Sequence, residues 1–193
     1  MTRPASGDNR SLAIEARGLV KRFDDTLAVD GVDIEVPEGA IYGILGPNGA
    51  GKTTTLRMLL GIIDPDQGVR RIFGNDRPHE VAKLIGYLPE ERGLYPAMKC
   101  DEAIAFMGAL RGLSLAEGRA RGRDLLERHG LGHAVDRQIR QLSKGMAQTV
   151  QLLGTLVHRP RLVVFDEPFS GLDAINQGKL EVMIRALADD GTT

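Results

Sequence analysis

The chain has 193 residues, of which 42% are hydrophobic and 26% charged, and its net charge is −1. That is enough for one domain with a smaller subdomain, and a nearly neutral chain has no global field to draw it to nucleic acid or an anionic membrane. The lone cysteine, Cys100, excludes an intrachain disulfide and reads as a small core hydrophobe; the few aromatic residues, none of them Trp, leave no platform for stacked bases.

No apolar run reaches the roughly 18 residues that span a bilayer. The opening "MTRPASGDNR" is polar and is expected to be a disordered tail over residues 1–10, with the folded part running over 11–193. From Ile14 to Val36 the pattern is β-like: Val32, Ile34 and Val36 alternate with Asp33 and Glu35, and Pro37–Gly39 makes a turn. Ile41–Leu45 reads as a buried strand leading into a glycine-rich loop. A helix follows from about Lys52, with Leu56, Leu59, Leu60 and Ile63 on one face and Asp64-Pro65 as its stop. "GVRRIFGND" and "KLIGYLPE" look like two more short strands. From about Asp101 to Val157 the pattern is helical, with Met146, Val150, Leu153 and Val157 as one stripe. The arginines of "RARGRDLLERHG", interleaved with Glu117, Asp124 and Glu127, read as a solvated helical face. "RLVVFDEP" is an apolar strand ending in acids, and a last helix carries Leu180, Met183, Ile184 and Leu187 on one face. This order predicts an α/β core with a helical insertion.

"GPNGAGKTT", Gly46–Thr54, follows a strand-like run and opens a helix, the context a phosphate-binding loop requires. Glycines allow backbone N–H groups to curl around an anion, and the helix N-terminus adds partial positive charge. Gly46, Pro47, Asn48, Gly49, Ala50, Gly51, Lys52, Thr53 and Thr54 are therefore the candidate ATP contacts. Lys52 brings a point charge to the β- and γ-phosphates, and the Thr53 hydroxyl is suited to Mg²⁺. "LVVFDE" supplies the matching carboxylates: Asp166 for Mg²⁺ through its water shell, and Glu167 as general base toward an attacking water.

With these residues the chain resembles the nucleotide-binding domain of ATP-binding cassette (ABC) transporters, from about Ile14 to Thr193. The stretch that separates this family from other P-loop proteins is "LSKGM", Leu142–Met146, which resembles the LSGGQ signature at Leu142, Ser143 and Gly145 and departs from it at Lys144 and Met146. "SGLD", Ser170–Asp173, resembles the D-loop, and Phe23 falls where the family stacks a ring on adenine. The resemblance implies a P-loop NTPase core with an N-terminal antiparallel β subdomain (core and β subdomain about 11–90 and 158–193) and an inserted helical subdomain (about 91–157). It implies a Mg²⁺-dependent ATPase in which two chains, identical or homologous, sandwich ATP head to tail. Ser143, Gly145 and Asp173 would act across that interface. It further implies attachment to a membrane permease at the cytoplasmic face, without nucleic acid. Taken alone, Ser143 reads first as a plain helix cap, Lys144 as either an exposed charge or an added attraction for phosphate, and Phe23 as an adenine platform ahead of a small-core aromatic, while Met146 is helix packing.

In "GYLPEERGLYP" Glu90 holds the family's Q-loop glutamine position, and a carboxylate oxygen suits Mg²⁺, a hard ion. Glu91 reads as a solvated loop charge. The wording "LPEERGLYP" with "LSKG" resembles the ATPase subunits of Nat-type sodium efflux and related export systems. The family also places a γ-phosphate histidine on a strand after the last helix. His79, His129, His133 and His158 all precede the D-loop and read as surface or turn residues. The expectation is a chain truncated at its C-terminus, weak in turnover. The alternative is a soluble regulatory, DNA-linked or translation-linked ABC-type ATPase; no sustained heptad run or second motif set supports the latter two.

Overall fold

The computed structural model describes residues 11–91 and 93–193; the expected tail at 1–10 lies outside them. The chain divides into two compact units, one running to His79 together with Thr193, the other Glu80–Thr192.

In the first unit β1 (Leu12–Phe23) and β2 (Thr26–Pro37) form a hairpin, and β3 (Gln67–Ile72) pairs with the other edge of β1. All pairings are antiparallel. The expected alternation holds on β2, where Ile34 and Val36 are buried and Asp33 and Glu35 exposed. Where the β1 register shifts, the Asp33 carboxylate accepts the Gly18 N–H at 2.6 Å, so the bulge keeps its donor satisfied. Helix α1 (Lys52–Leu59) buries Thr55, Met58 and Leu59. It ends earlier than Asp64-Pro65 suggests: Leu60 and Gly61 donate back to the last turn, so Ile63 lies beyond the helix.

A second sequence expectation also fails in this unit. Residues 41–45 form no strand; Ile41 is 62% and Leu45 96% exposed. Apolar periodicity reports a preference for burial, but a strand also needs a free edge to bond, and no described strand pairs with 41–45.

In the second unit β4 (Ile85–Leu88) and β5 (Leu162–Phe165) pair in parallel, in register from Ile85↔Leu162 to Leu88↔Phe165. Helices α2 (Cys100–Ala109), α3 (Leu115–Arg128) and α4 (Lys144–Leu156) build a core from Cys100, Ile104, Leu126, Leu131, Val150, Leu153 and Val157. Val150, Leu153 and Val157 belong to the predicted stripe, and Met146 packs against the same cluster. A second cluster joins Leu88, Leu152 and Leu156 to Leu180 of α5 (Ala174–Asp189), with Met183, Ile184 and Leu187 against it. Cys100 is buried, its thiol pushed up to about 11 by desolvation, which fits a core role.

The arginine-rich helix is more than a solvated face. Asp101 of α2 is fully buried, and one of its carboxylate oxygens takes Arg123 Nε and Nη2 at 2.9 Å and Arg119 Nε at 3.1 Å. Arg119 also reaches Glu102 at 2.7 Å. The sequence neighbours of these arginines did not reveal that partner, because it sits on another helix. No helix among the described residues is long and apolar enough to cross a membrane.

Candidate functional site

The glycine loop is fixed by backbone contacts. Gly51, the N-cap of α1, has φ +83°, and a Cβ there would stand 2.2 Å from the Ala28 carbonyl oxygen of β2. Only glycine fits both the conformation and the approach. It contributes no side-chain cap to the helix. Lys52 Nζ donates to the Gly46 and Pro47 carbonyls at 3.1 and 3.0 Å, folding the loop back over the first helical residue. Gly46–Ala50 are exposed, and Lys52, Thr53 and Thr54 partly so. Hence the segment presents backbone, one ammonium and hydroxyl groups toward solvent, a donor set suited to a polyphosphate. The hairpin whose β2 strand abuts Gly51 also carries Phe23. That ring is 47% exposed, with Lys21 Nζ 5.6 Å from its centroid, so it is a surface ring and not part of a small core.

The other candidate residues lie in the second unit. Asp166 is buried immediately after β5, and its N–H donates to the Leu88 carbonyl at 3.0 Å, extending the β4–β5 ladder. Because Leu88 pairs with Phe165, the chain leaves both strands at one edge, with Pro89-Glu90 on one side and Asp166-Glu167 on the other. The carboxyl end of parallel strands is where such folds bind ligands. Glu167 adopts φ +48°, a left-handed conformation that costs a non-glycine residue of order 1–3 kcal/mol. Glu90 and Glu91 are exposed, and Gln151 Nε2 of α4 donates to the Glu91 carbonyl at 3.3 Å.

Ser143 caps α4: its hydroxyl accepts the Met146 N–H at 3.3 Å. Gly145 lies against α5, where an added Cβ would come within 2.9 Å of Asn176 Nδ2. Asp173 caps α5 in turn, accepting the Asn176 N–H at 2.9 Å and its side-chain amide at 2.9 and 3.0 Å. Gln148 Nε2 donates to the Pro168 carbonyl at 2.8 Å. Gln148 therefore ties the signature helix to the loop that follows the acid pair, and Gly145 packs close to the first turn of α5. Sequence reasoning missed Gln148 and Asn176, both polar residues without a motif of their own; their spacing of one helical turn from Lys144 and three residues from Asp173 was the available signal.

Of the histidines, His79, His129 and His133 are exposed as expected, but His158 is half-buried. Its Nε2–H donates to the Ile85 carbonyl at 3.1 Å, and desolvation lowers its pKa from the ordinary 6.5.

A family model described as ABC transporter matches residues 29–170. Over 184 residues the chain is 42% identical to the daunorubicin/doxorubicin resistance ATP-binding protein DrrA of Streptomyces peucetius, covering 94% of this chain and 56% of that one. It is 39% identical over 181 residues to the ABC transporter ATP-binding protein NatA of Bacillus subtilis, covering 90% and 74%. A solved ATP-binding subunit of an ABC transporter superposes with a TM-score of 0.81 at 28% identity, over 93% of this chain and 76% of that one.

Proposed function

The chain belongs to the ABC transporter ATP-binding family, and from that premise we propose that it is the ATP-hydrolysing subunit of an exporter. The observation that carries this reading is the Gly46–Thr54 loop, where Gly51 is pressed against Ala28 and Lys52 spans the loop carbonyls. Lys52 transfers from those carbonyls to the phosphates when ATP binds, and the loop N–H groups take the remaining phosphate oxygens. Phe23 stacks on adenine. Thr53, Asp166 and Glu90 are oxygen donors of the kind that would hold Mg²⁺, which when bound would offset the charge that builds on the phosphates. Glu167 accepts a proton from water as the water oxygen attacks the γ-phosphorus; the bond to the bridging oxygen breaks and ADP leaves with the electron pair.

Ser143 and Gly145 act at the end of α4 toward the γ-phosphate held by a second copy or a homologous subunit, with Asp173 beside them. ATP then joins the two chains and hydrolysis releases them. The work is delivered to a separate membrane permease, at the cytoplasmic face. The export direction is supported by the wording "LPEERGLYP" and "LSKG" and by 37% identity to the Nod factor export ATP-binding protein I of Ralstonia nicotianae.

The test is the rate of phosphate release with Mg-ATP by the full-length subunit and its Glu167→Gln variant. The expected loss is at least about 100-fold with ATP binding retained, the size of effect a positioned base supplies. An unchanged rate would remove Glu167 from the chemistry. Glu90→Gln addresses the metal: Mg²⁺ should strengthen nucleotide binding more in wild type than in the variant, and an equal effect would exclude Glu90 as a donor.

A further inference from the structure

The end of β1 that carries Phe23 runs past the start of its neighbour. Strand β3 begins at Gln67, which pairs with Val20, so β3 offers no residue opposite Lys21, Arg22 or Phe23. Asp66, just before the strand, takes over that edge. Its N–H donates to the Val20 carbonyl at 2.8 Å, and one carboxylate oxygen accepts the Arg22 N–H at 2.7 Å. The other oxygen accepts Lys21 Nζ at 2.8 Å. Lys21 is the covered member of this pair, its side chain 17% exposed against 44% for Asp66. The Lys21 bond, followed by the Arg22 bond, holds the Asp66 carboxyl below its ordinary pKa, so it stays ionised. The ammonium held in this way lies over the Phe23 ring, 5.6 Å from its centroid. Asp66 thus bonds the backbone just before Phe23 and the cation that packs on the ring.

We infer that Asp66 is a positioning residue for the nucleobase: by holding the Arg22 N–H and Lys21 Nζ together, it fixes the Phe23 ring as a stacking platform. The ring turns its negative face to the ammonium, and the base stacks on the face that Lys21 leaves open. Without Asp66 the end of β1 frays, and the cost of ordering the ring falls on binding. The Gly46–Thr54 loop is held by Ala28 and by its own Lys52, so the effect is confined to the base. This inference rests on the reading above that Phe23 stacks on adenine, and the experiment separates the two.

The test is calorimetric titration of the full-length subunit with ATP and with inorganic triphosphate, which carries the phosphates and no base. Phe23→Ala should weaken ATP binding about 10-fold or more, the size of a lost base stack, and leave triphosphate binding unchanged. Asp66→Ala should weaken ATP binding about 3- to 10-fold, again with triphosphate unchanged. Asp66→Asn keeps an acceptor for the Arg22 N–H but no charge for Lys21, and should cost about 2- to 5-fold. In the Phe23→Ala background Asp66→Ala should cost ATP nothing further, because the platform is already gone. Equal losses for ATP and triphosphate, no loss in Asp66→Ala, or the same loss with and without the ring would overturn the inference and leave the adenine reading standing on the Phe23 effect. If Phe23→Ala itself leaves ATP binding unchanged, the adenine reading fails and the inference falls with it. Should Asp66→Ala not fold, Asp66→Asn decides by the same comparison.

Discussion

Two helix ends carry most of the sites proposed here, and they are built in opposite ways. At α1 the cap is Gly51, left-handed, without a side-chain hydrogen bond, and wedged against Ala28 of β2. At α4 the cap is Ser143, extended, with its hydroxyl on the Met146 N–H. The first is set by backbone, so its chemistry depends on glycines that no other residue can replace. The second is set by side chains, one of which, Gln148, reaches the loop after β5 at the Pro168 carbonyl, and these can be altered one at a time. Both ends present helix dipoles to solvent, yet the α1 end is suited to enclose phosphate while the α4 end is suited to couple it to the rest of its unit.

The largest effect expected from this contrast is at Gly51→Ala. The added methyl group would collide with the Ala28 carbonyl and force φ +83° on a residue that resists it. Nucleotide binding should weaken more than about 100-fold and stability should fall by about 4 kcal/mol or more, among the largest costs for one substitution; ATP titration and thermal melting report the two. Near-normal binding would mean the loop is not held by β2.

Lys52→Ala should break the first end differently. Two of its acceptors are exposed loop carbonyls that water can satisfy, so Tm should change little while ATP binding weakens by about 10- to 100-fold, the loss of charge-assisted bonds of about 1.5–3 kcal/mol. A large drop in Tm with intact ATP binding would reverse the assignment.

At the second end, Ser143→Ala removes a cap and should cost about 1 kcal/mol by denaturant titration. ATP binding at the Gly46–Thr54 loop should stay as in wild type. A matching loss of ATP binding would show that the two ends are not separable in this way.

The smallest effect concerns the region just past α4, at His158. Burial lowers its folded pKa below the ordinary 6.5. The unfolded state therefore takes up a proton first as pH falls, so stability present above about 6.5 declines as pH drops toward the folded value. Wild type should lose more Tm between neutral pH and about 5.5 than His158→Gln does. Equal losses would show that His158 is not the titrating group.

The sequence made the loop, the acid pair and the Ser143 cap legible because each is a local pattern: glycines beside a lysine, acids ending an apolar run, a serine opening a periodic helix. The stripes of α4 and α5 were legible for the same reason, since periodicity is read within one element. What stayed hidden depends on a second element. Nothing near Ile41–Leu45 says which edge would pair with it, and nothing near Arg119 or Arg123 says that Asp101 lies buried beneath them. The bond from Gln148 to the Pro168 carbonyl belongs to this class too: the helix after "LSKGM" and the loop after "VVFDE" are separate in sequence, and only the fold brings them together.

In the proposed ATP sandwich, the α4 end of one chain completes the ATP site on the α1 end of another. Light scattering on the full-length Glu167→Gln subunit, which should bind ATP without consuming it, tests this most directly. With Mg-ATP the mass should rise from one chain to two, and Ser143→Ala in the same background should weaken that association while leaving ATP binding intact. A mass that stays at one chain under saturating Mg-ATP would contradict the claim.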